Sequence, residues 1–274
     1  MSPPPSPLLP GPRAILSVTG PDALRFLNGQ LTNDIGKVSP EHSLPAAALN
    51  AKGGLDGICC VHHRDKGYLI DAPLPLRESL LARLDRYLIA DDVSLTDKTG
   101  DYTVIHFPGS VRPEVEEASA ITSCARFGLP GFDLLVQGDL SRVGVSPAHP
   151  DEWEHHRIEA GIPEWGAELV PGLLPAEAGL DRWMVSFDKG CYLGQEVVSR
   201  IKRAGKTNRN LVGLIVPDTV TAPAPIFHEG KEAGEITSIS PQGEIALGFR
   251  KRNVGEVQSL SLQPDDREPT VHLR

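Results

Sequence analysis

A short segment at 188–200 carries the residues with the clearest chemical potential. It reads D-K-G-C-Y-L-G-Q-E-V-V-S-R, with Cys191 between a Lys-Gly pair and a second glycine. If the run after it is helical, Cys191 lies at or just before the helix N-terminus, where unpaired backbone N–H groups favour an anion. Lys189 adds positive charge, and cysteines become nucleophilic under such conditions. The segment therefore predicts an accessible thiolate, with Cys191 and Lys189 as candidate catalytic residues.

Two glycines flank this cysteine, and its role has open alternatives. Gly190 and Gly194 allow the backbone to turn tightly or to approach a ligand closely. A nucleophilic cysteine also needs a general base, and the sequence does not show which histidine comes near Cys191. A Cys–His hydrolase therefore stays one alternative, and a structural cysteine in a tight turn is another.

The C-C-V-H-H run at 59–63 has the residue types of a metal site. Neighbouring side chains of a strand point to opposite faces, so only Cys60 with His62, or Cys59 with His63, can share a face. Either pair supplies two ligands where zinc usually takes three or four from the protein. The run is therefore interpreted as a buried strand, and no metal site is predicted.

The overall composition limits the classes of partner. The 274-residue chain is 40% hydrophobic and 23% charged, which is ordinary for a protein with a packed core. Its net charge of -9 and its 5% aromatic content argue against unspecific binding to nucleic acid. No stretch approaches the roughly 20 apolar residues that cross a bilayer. Four cysteines, two of them adjacent, do not make a disulfide framework, so we expect a cytoplasmic protein without nucleic-acid or membrane partners.

Hydrophobic periodicity predicts paired strands interrupted by single helices. Helices are expected at 21–30, 76–89 and 152–160, and strands at 14–19, within a hairpin at 45–71, and at 93–96, 102–107 and 132–136. This order is typical of an α+β protein rather than of a parallel βαβ sheet. Beyond about residue 206, short strands alternate with turns, which predicts a small antiparallel β-barrel.

Several motifs, in order along the chain, resemble one family. K-G-C-Y-L-G-Q-E at 189–196 resembles the signature of the YgfZ-type folate-binding proteins, which are relatives of the glycine-cleavage T-protein, an aminomethyltransferase. The other matching motifs are F-L-N-G-Q-L-T-N-D-I (26–35), R-I-E-A-G-I-P-E-W-G-A-E-L (157–169), L-P-A-E-A-G-L (174–180), G-K-T-N-R-N-L (205–211), G-E-I-T-S (234–238) and I-A-L-G-F (245–249). The resemblance covers nearly all of the chain beyond residue 14.

The resemblance implies a fold and a domain organisation. The implied fold is an α+β, multi-part ring like that of the T-protein and YgfZ, with a C-terminal antiparallel β-barrel. We expect a disordered, proline-rich lead-in at 1–13, a folate-binding α+β region of two subdomains at 14–205 and the barrel domain at 206–274. The implied cofactor is tetrahydrofolate or a form of it that carries a one-carbon substituent.

The resemblance also implies which residues act. Lys189 and Cys191 belong to the motif that the family needs for activity, and Glu159 matches a T-protein glutamate that contacts the pterin ring. A carboxylate suits that role because it can accept paired N–H bonds from an aminopyrimidine edge. The full set of expected folate-binding residues is Arg157, Glu159, Gly190, Tyr192, Gly194, Gln195, Glu196 and Arg200.

A basic run follows the motif in this acidic protein. Its members are Arg200, Lys202, Arg203, Lys206 and Arg209. One interpretation is a solvated helix end, where cations also suit the helix dipole. The other is an anchor for the carboxylates or phosphates of a ligand tail, here the polyglutamate tail of a folate. Both interpretations stay open at the level of the sequence.

One difference from the T-protein sequence bears on which of two functions we expect for this chain. T-proteins follow a G-G-x-x-D-D pattern with an aspartate that positions the folate amine, whereas this chain has G-G-L-D-G-I at 53–58. Asp56 is one or two residues out of register with the aspartates of that pattern, although a local β-bulge could return its side chain to their position. The expected function is an accessory factor for assembly or repair of iron–sulfur proteins, with cluster-assembly proteins or client enzymes as partners. The alternative is a folate-dependent aminomethyltransferase or another one-carbon transferase, and whether the chain catalyses turnover stays open.

Overall fold

The computed structural model of the chain describes residues 7–8, 10–64, 66–115, 121–138, 143–146, 148–255, 257–265 and 269–274. These residues form two compact units. Unit 1 consists of Met1–Ala148 and Asp181–Val197, and unit 2 consists of His149–Leu180 and Val198–Arg274. Most of the expected lead-in lies outside the described residues, but Leu8 is buried and exchanges two backbone hydrogen bonds with His106.

Unit 1 contains two antiparallel sheets and two helices. Its strands are β1 (Arg13–Thr19), β2 (Leu44–Leu49), β3 (Leu55–Arg64), β4 (Gly67–Pro73), β5 (Ser94–Asp97), β6 (Tyr102–Pro108), β7 (Ile121–Ser123) and β8 (Gly131–Gln137), and its helices are α1 (Ala23–Gln30) and α2 (Arg77–Arg86). The five-stranded sheet has the order β2-β3-β4-β1-β5, and the three-stranded sheet has the order β6-β8-β7. Ile15 and Leu69 of the larger sheet pack with Val104 and Leu135 of the smaller one.

Unit 2 contains one six-stranded antiparallel sheet and a helix that precedes it. Its elements are α3 (Pro150–Ala160), β9 (Arg209–Ile215), β10 (Ala224–His228), β11 (Lys231–Ile239), β12 (Ile245–Lys251), β13 (Ser259–Leu260) and β14 (Val271–Leu273). A further helix, α4 (Gln195–Ala204), contains the boundary between the two units. The sheet has the order β10-β11-β12-β9-β14-β13 and encloses a core that includes Leu214, Ile226 and Ile236.

Two backbone hydrogen bonds nearly close this sheet into a barrel. Phe227 in β10 donates to the carbonyl of Ser261 and accepts from its amide, which joins the two edges of the sheet. Closure of this kind covers the unpaired strand edges that an open sheet leaves exposed. The predicted α+β class and the predicted C-terminal β-barrel are both confirmed.

The predicted helices are confirmed, with shifted ends. Helix α3 begins at Pro150 rather than at residue 152, because the His149 ring accepts from the amide of Asp151 and Pro150 is favourable at a first helical position. Helix α2 ends at Arg86 rather than at residue 89, because Ile89 is exposed to solvent and gains no burial from a further turn. Among the described residues, no helix is both long enough and apolar enough to span a membrane.

A buried charge network lies in unit 1. The Arg126 guanidinium donates to both carboxylate oxygens of Asp133, at 3.0 and 2.7 Å, and also to Asp71. Arg13 is a second partner of Asp71, and the His106 ring lies 2.7 Å from Asp133. Burial alone would raise the pKa of both aspartates, but the adjacent guanidinium groups outweigh it and hold both pKa values below the usual one.

Candidate functional site

Lys189 fixes the loop that carries Cys191. Its ammonium group donates to three backbone carbonyls, those of Asn28 at 2.6 Å, Leu31 at 2.9 Å and Asn33 at 2.7 Å. The first two carbonyls belong to the C-terminal end of α1, where the helix leaves its own carbonyls without intrahelical partners. An ammonium has three N–H donors, so this cradle uses all of them.

Further hydrogen bonds join the same two segments. Thr32 donates its hydroxyl to the carbonyl of Met184 at 2.6 Å and accepts at its own carbonyl from the amide of Ser186. The amide of Leu193 donates to the carbonyl of Gly29. The segment 184–193 therefore lies along 28–33, which means that the two motifs F-L-N-G-Q-L-T-N-D-I and K-G-C-Y-L-G-Q-E fold against each other.

The protonation of Lys189 suits this structural role. Burial lowers the pKa of Lys189 to about 8, and the nearby Asp34 carboxylate acts in the opposite direction. At neutral pH the side chain is still mostly protonated, so it can serve all three carbonyls. The Lys189 ammonium also lies 5.3 Å from the centre of the Tyr192 ring, within the range of a cation–π contact.

Cys191 is exposed on this loop, and it lies farther from the helix than the sequence indicates. Helix α4 begins at Gln195, so the thiol precedes the first helical residue by four positions. The effect of a helix dipole falls off within the first turn, so the expected activation by the helix N-terminus does not apply here. In the described part of the chain, no hydrogen bond joins the thiol to a histidine, which leaves a Cys–His hydrolase without geometric support.

The four cysteines differ sharply in access. Cys59, Cys60 and Cys124 are buried, and burial raises the pKa of Cys59 and Cys124.

We expect a brief treatment of the native protein with iodoacetamide to give a single adduct, on Cys191, because only that thiol is open to solvent. Intact-mass spectrometry and peptide mapping provide the measurement. Rapid addition of a second adduct to folded protein would contradict this description of the loop.

Two glycines allow the β2–β3 turn to lie against the start of α4. Gly194 has a φ of 84°, and a Cβ atom there would lie 2.6 Å from the carbonyl oxygen of Asn50. Gly53 has a φ of 75°, and a Cβ atom there would lie 2.8 Å from the Cβ of Val197. A side chain at either position would strain the backbone, and it would collide with the Asn50 carbonyl oxygen at Gly194 or with the Val197 side chain at Gly53. The predicted close approach at Gly194 is therefore to protein backbone.

Substitution of Gly194 tests this close approach. We expect Gly194→Ala to destabilise the protein by about 1 to 3 kcal/mol, because alanine there combines a left-handed φ with a clash against a backbone oxygen. Urea unfolding followed by circular dichroism provides the measurement. Gly190→Ala is the matched control, since a Cβ there meets no atom within 4 Å. Equal effects of the two substitutions would show that the loop is looser than described.

The remaining motif residues divide into buried and exposed ones. The Tyr192 hydroxyl is buried with no hydrogen-bond partner in the described structure, and burial raises the pKa of Tyr192 to about 12. Gln195 is partly exposed at the first position of α4, and Glu196 and Arg200 are exposed one turn apart on the same helix. Tyr192 is therefore a donor that a bound molecule could satisfy, and Arg200 is accessible to an anion.

In unit 2, the two residues of the R-x-E motif have different environments. Arg157 is buried and donates to Glu168 at 3.1 Å, to Ser238 at 3.0 Å and to both carboxylate oxygens of Glu154. These bonds tie α3 to β11 and make Arg157 part of the packing of unit 2. Glu159 is exposed on α3, and its backbone carbonyl accepts a hydrogen bond from Arg274. The Glu159 carboxylate is thus accessible to a ligand.

The basic run does not act as one surface. Arg209 pairs with Glu235 at 3.0 Å and with Glu177 at 3.5 Å, and its guanidinium lies over the Phe249 ring at 4.4 Å. Arg209 is therefore held by its own unit, whereas the other four cations of the run, Arg200, Lys202, Arg203 and Lys206, are exposed.

Asp56 lies in a β-bulge. Leu49 pairs with Leu55 while Ala48 pairs with Gly57, so Asp56 is the extra residue of β3. Its carboxylate accepts from Arg83 at 3.2 Å, and Arg83 also donates to the carbonyl of Leu49. A local bulge that could return Asp56 to the position of the T-protein aspartate is therefore present. The Asp56 carboxylate is bonded to the Arg83 guanidinium.

Two features were missed in the sequence. The ammonium of Lys189 is bound by three backbone carbonyls, and the sequence does not predict such a contact because every residue type has a carbonyl. All three carbonyls belong to residues of the F-L-N-G-Q-L-T-N-D-I motif. Cys60 also has neighbours from another sheet, since Cys124 and Asp133 offer ligand atoms within 4.8 Å of it and of each other. The Asp133 oxygens are already bonded to Arg126 and His106.

Comparison with known proteins shows what the chain is similar to. No protein-family model matches the chain. It is 29% identical to the tRNA-modifying protein YgfZ of Klebsiella pneumoniae over 95% of this chain and 82% of that protein. It is 26% identical to the mouse mitochondrial iron–sulfur cluster assembly factor IBA57 over 96% of this chain and 78% of that protein. The chain is a relative of the YgfZ and IBA57 proteins.

The fold comparison agrees with this relationship. The aminomethyltransferase T of the glycine cleavage system from Bartonella henselae has the same fold, with a TM-score of 0.75 over 96% of this chain and 82% of that chain. The two sequences are 19% identical, so this likeness concerns the fold alone. The predicted resemblance and the predicted T-protein-like fold class are confirmed.

Proposed function

We propose that the chain is a tetrahydrofolate-binding accessory protein for the assembly or repair of iron–sulfur proteins. The observation that carries the proposal is the exposed Cys191 thiol on a loop that Lys189 fixes to the end of α1. The relatives support it, because one is named as a cluster assembly factor and aligns along nearly the whole chain. A thiol that is fixed in place but open to solvent suits contact with a client protein or with a bound ligand.

The described residues fit a folate in three respects. The buried Tyr192 hydroxyl lacks a hydrogen-bond partner, and an unsatisfied buried hydroxyl costs free energy unless a ligand or a water satisfies it. The exposed Glu159 carboxylate can accept paired N–H bonds from an aminopyrimidine ring. Arg200 is an exposed cation for a carboxylate. We therefore propose Tyr192 in unit 1, and Glu159 and Arg200 in unit 2, as candidate folate-binding residues that are each tested separately.

Each group of this chain has a distinct expected task. A bound tetrahydrofolate would supply one-carbon or reducing chemistry. Glu159 would orient the ligand through its carboxylate, and Cys191 would present its sulfur to the client. Lys189 would act as a positioning residue, since its three N–H groups are already bonded to backbone carbonyls. Arg157 would keep α3 in place through Glu168 and Ser238.

Titration calorimetry with tetrahydrofolate tests the binding part of the proposal. We expect wild type to bind, and Glu159→Ala to bind at least tenfold more weakly because it loses a charge-assisted hydrogen bond. Asp151→Ala is the matched control, because Asp151 is an exposed carboxylate on the same helix. Unchanged affinity in Glu159→Ala would remove that residue from the site, and absence of binding by wild type would refute the proposal.

A second candidate function rests on the β-bulge. Because the bulge changes the direction of the Asp56 side chain, one-carbon transfer of the T-protein type stays a candidate. Turnover of an aminomethyl or N-methyl donor with tetrahydrofolate, abolished by Asp56→Asn, would favour the transferase. The Arg83 pair argues for a structural role of Asp56, in which case the substitution lowers stability and no turnover is seen.

A further inference from the structure

Two buried cysteines of unit 1 are in contact where its two sheets meet. Cys60 belongs to β3 of the five-stranded sheet, and Cys124 directly follows β7 of the three-stranded sheet. Their sulfur atoms are 4.0 Å apart, and the side chains are 3% and 1% exposed. The two residues are 64 positions apart in the chain, so it is the fold that brings the thiols together.

The backbone on both sides of this contact is held by hydrogen bonds. Cys60 lies inside its sheet, opposite Pro45 of β2 and Asp71 of β4. The amide of Cys124 donates to the carbonyl of Gly131 at 2.8 Å. Because the sulfurs of a disulfide are about 2.05 Å apart, the two sulfurs need to approach by about 2 Å to bond. Rotation of the two side chains and a small shift of the segment after β7 would supply that movement.

A metal ion is another occupant that two close sulfurs could indicate. Zinc takes three or four protein ligands, and among the described residues the third ligand atom beside the two sulfurs is a carboxylate oxygen of Asp133. That carboxylate already accepts hydrogen bonds from Arg126 and lies 2.7 Å from the His106 ring. The Arg126 guanidinium would also repel a second cation. The arrangement therefore favours a bond between the sulfurs over a metal ion that they share.

The surroundings of the pair make it slow to react. Burial raises the pKa of Cys124, and the contact with Cys60 acts in the same direction, whereas the Arg126 guanidinium opposes them. The thiolate is the form that attacks an oxidant, so a buried thiol of this kind reacts slowly. It also needs an oxidant that is small enough to reach the core. Hydrogen peroxide is small and uncharged, and it meets that requirement.

We propose that Cys60 and Cys124 form a reversible disulfide when the folded protein meets hydrogen peroxide. First, one thiolate attacks an oxygen of the peroxide, the O–O bond breaks, and a sulfenic acid forms while the hydroxide takes up the thiol proton as water. The second thiol then attacks the sulfenic sulfur, the S–S bond forms, and the sulfenic oxygen leaves as water. Two thiols thus lose two electrons to one peroxide, which becomes two waters, and a dithiol such as dithiothreitol reverses the bond.

This disulfide would link the two sheets of unit 1. A bond between residues 64 positions apart restricts the unfolded chain, which stabilises the folded state. We expect the Tm of the oxidised protein to exceed that of the reduced protein by at least about 5 °C. The bond would also keep both sulfurs from further, irreversible oxidation to sulfinic acid. None of these effects depends on the proposed folate binding.

Peptide mapping under non-reducing conditions, after peroxide treatment of the native protein, tests the proposal. We expect wild type to give a pair of cross-linked peptides that contain Cys60 and Cys124 and that dithiothreitol separates. Cys124→Ala should lose both the cross-link and the rise in Tm. Cys59→Ala is the matched control, because Cys59 is a buried thiol next to Cys60 whose side chain points to the other face of β3. It should keep both.

Four results would overturn the inference. The first is no cross-link at a peroxide concentration that fully oxidises the exposed Cys191. The second is loss of the cross-link in Cys59→Ala, since the bond would then involve Cys59. The third is a cross-link that forms only in urea, because the folded protein would then hold the sulfurs apart. The fourth is an unchanged Tm in cross-linked wild type. Each result leaves the proposed folate binding untouched, since no folate is present.

Discussion

Replacing Lys189 with methionine should lower the free energy of unfolding by about 2 to 3 kcal/mol and release the Cys191 loop. The substitution removes three charge-assisted hydrogen bonds and leaves the carbonyls of Asn28, Leu31 and Asn33 without this donor. Methionine keeps the length of the side chain, so the loss of packing is small. Urea unfolding measures the stability, and hydrogen exchange of the segment 184–193 measures the release of the loop.

A positioning role makes a prediction that a general loss of stability does not. In Lys189→Met, the amides of Ser186 and Leu193 should exchange faster, while amides of β8 keep their relative protection. Lys37→Met is the matched control, because Lys37 is an exposed lysine with a distant partner, Asp34 at 3.9 Å. It should change stability by less than about 0.5 kcal/mol. Uniformly faster exchange in Lys189→Met would contradict the assigned role.

Replacing Asp133 with asparagine should destabilise the protein by about 3 to 5 kcal/mol. Asp133 is fully buried and is the bidentate partner of Arg126, so its loss leaves a buried guanidinium with too little negative charge nearby. Asp101→Asn is the matched control, because it removes an exposed pair with Lys98 and should cost less than about 1 kcal/mol. Urea unfolding at pH 7 measures both. Similar values for the two variants would contradict the network.

The same network predicts sensitivity to acid. The folded-state pKa values of Asp71 and Asp133 lie below their unfolded values, so the folded state binds fewer protons than the unfolded state in that range. The two carboxylates therefore contribute their full stability above pH of about 4, and that contribution falls as the pH drops below it. Asp133→Asn should flatten this dependence, which unfolding at several pH values from 3 to 7 would show.

The helices and strands could be predicted because the apolar residues that they bury recur in the sequence at a helical or a strand spacing. Leu80 and Leu84 of α2 recur at helical spacing and are buried. The β-barrel follows from short alternating strands with polar turns between them. Element ends are less predictable, since a cap such as His149 depends on a side-chain bond that the pattern does not contain.

The arrangement of the site depends on contacts that are distant in sequence. Lys189 and its acceptor Asn28 are 161 positions apart, and the acceptor atoms are backbone oxygens, which every residue type has. The bulge at Asp56 is a shift of pairing register between β2 and β3, which the residue types do not show. The resemblance to a family identified the motifs, whereas the structure showed that two of them fold against each other.

The most direct test of the proposed function is the activity of an iron–sulfur client enzyme in a strain that lacks its own YgfZ-type protein. Wild type should restore that activity, and Cys191→Ser at the same soluble amount should not, because it removes the exposed thiol. Cys124→Ala, which changes a buried thiol, is the control and should restore activity. Full restoration by Cys191→Ser would contradict the account, since the one accessible thiol would then be dispensable.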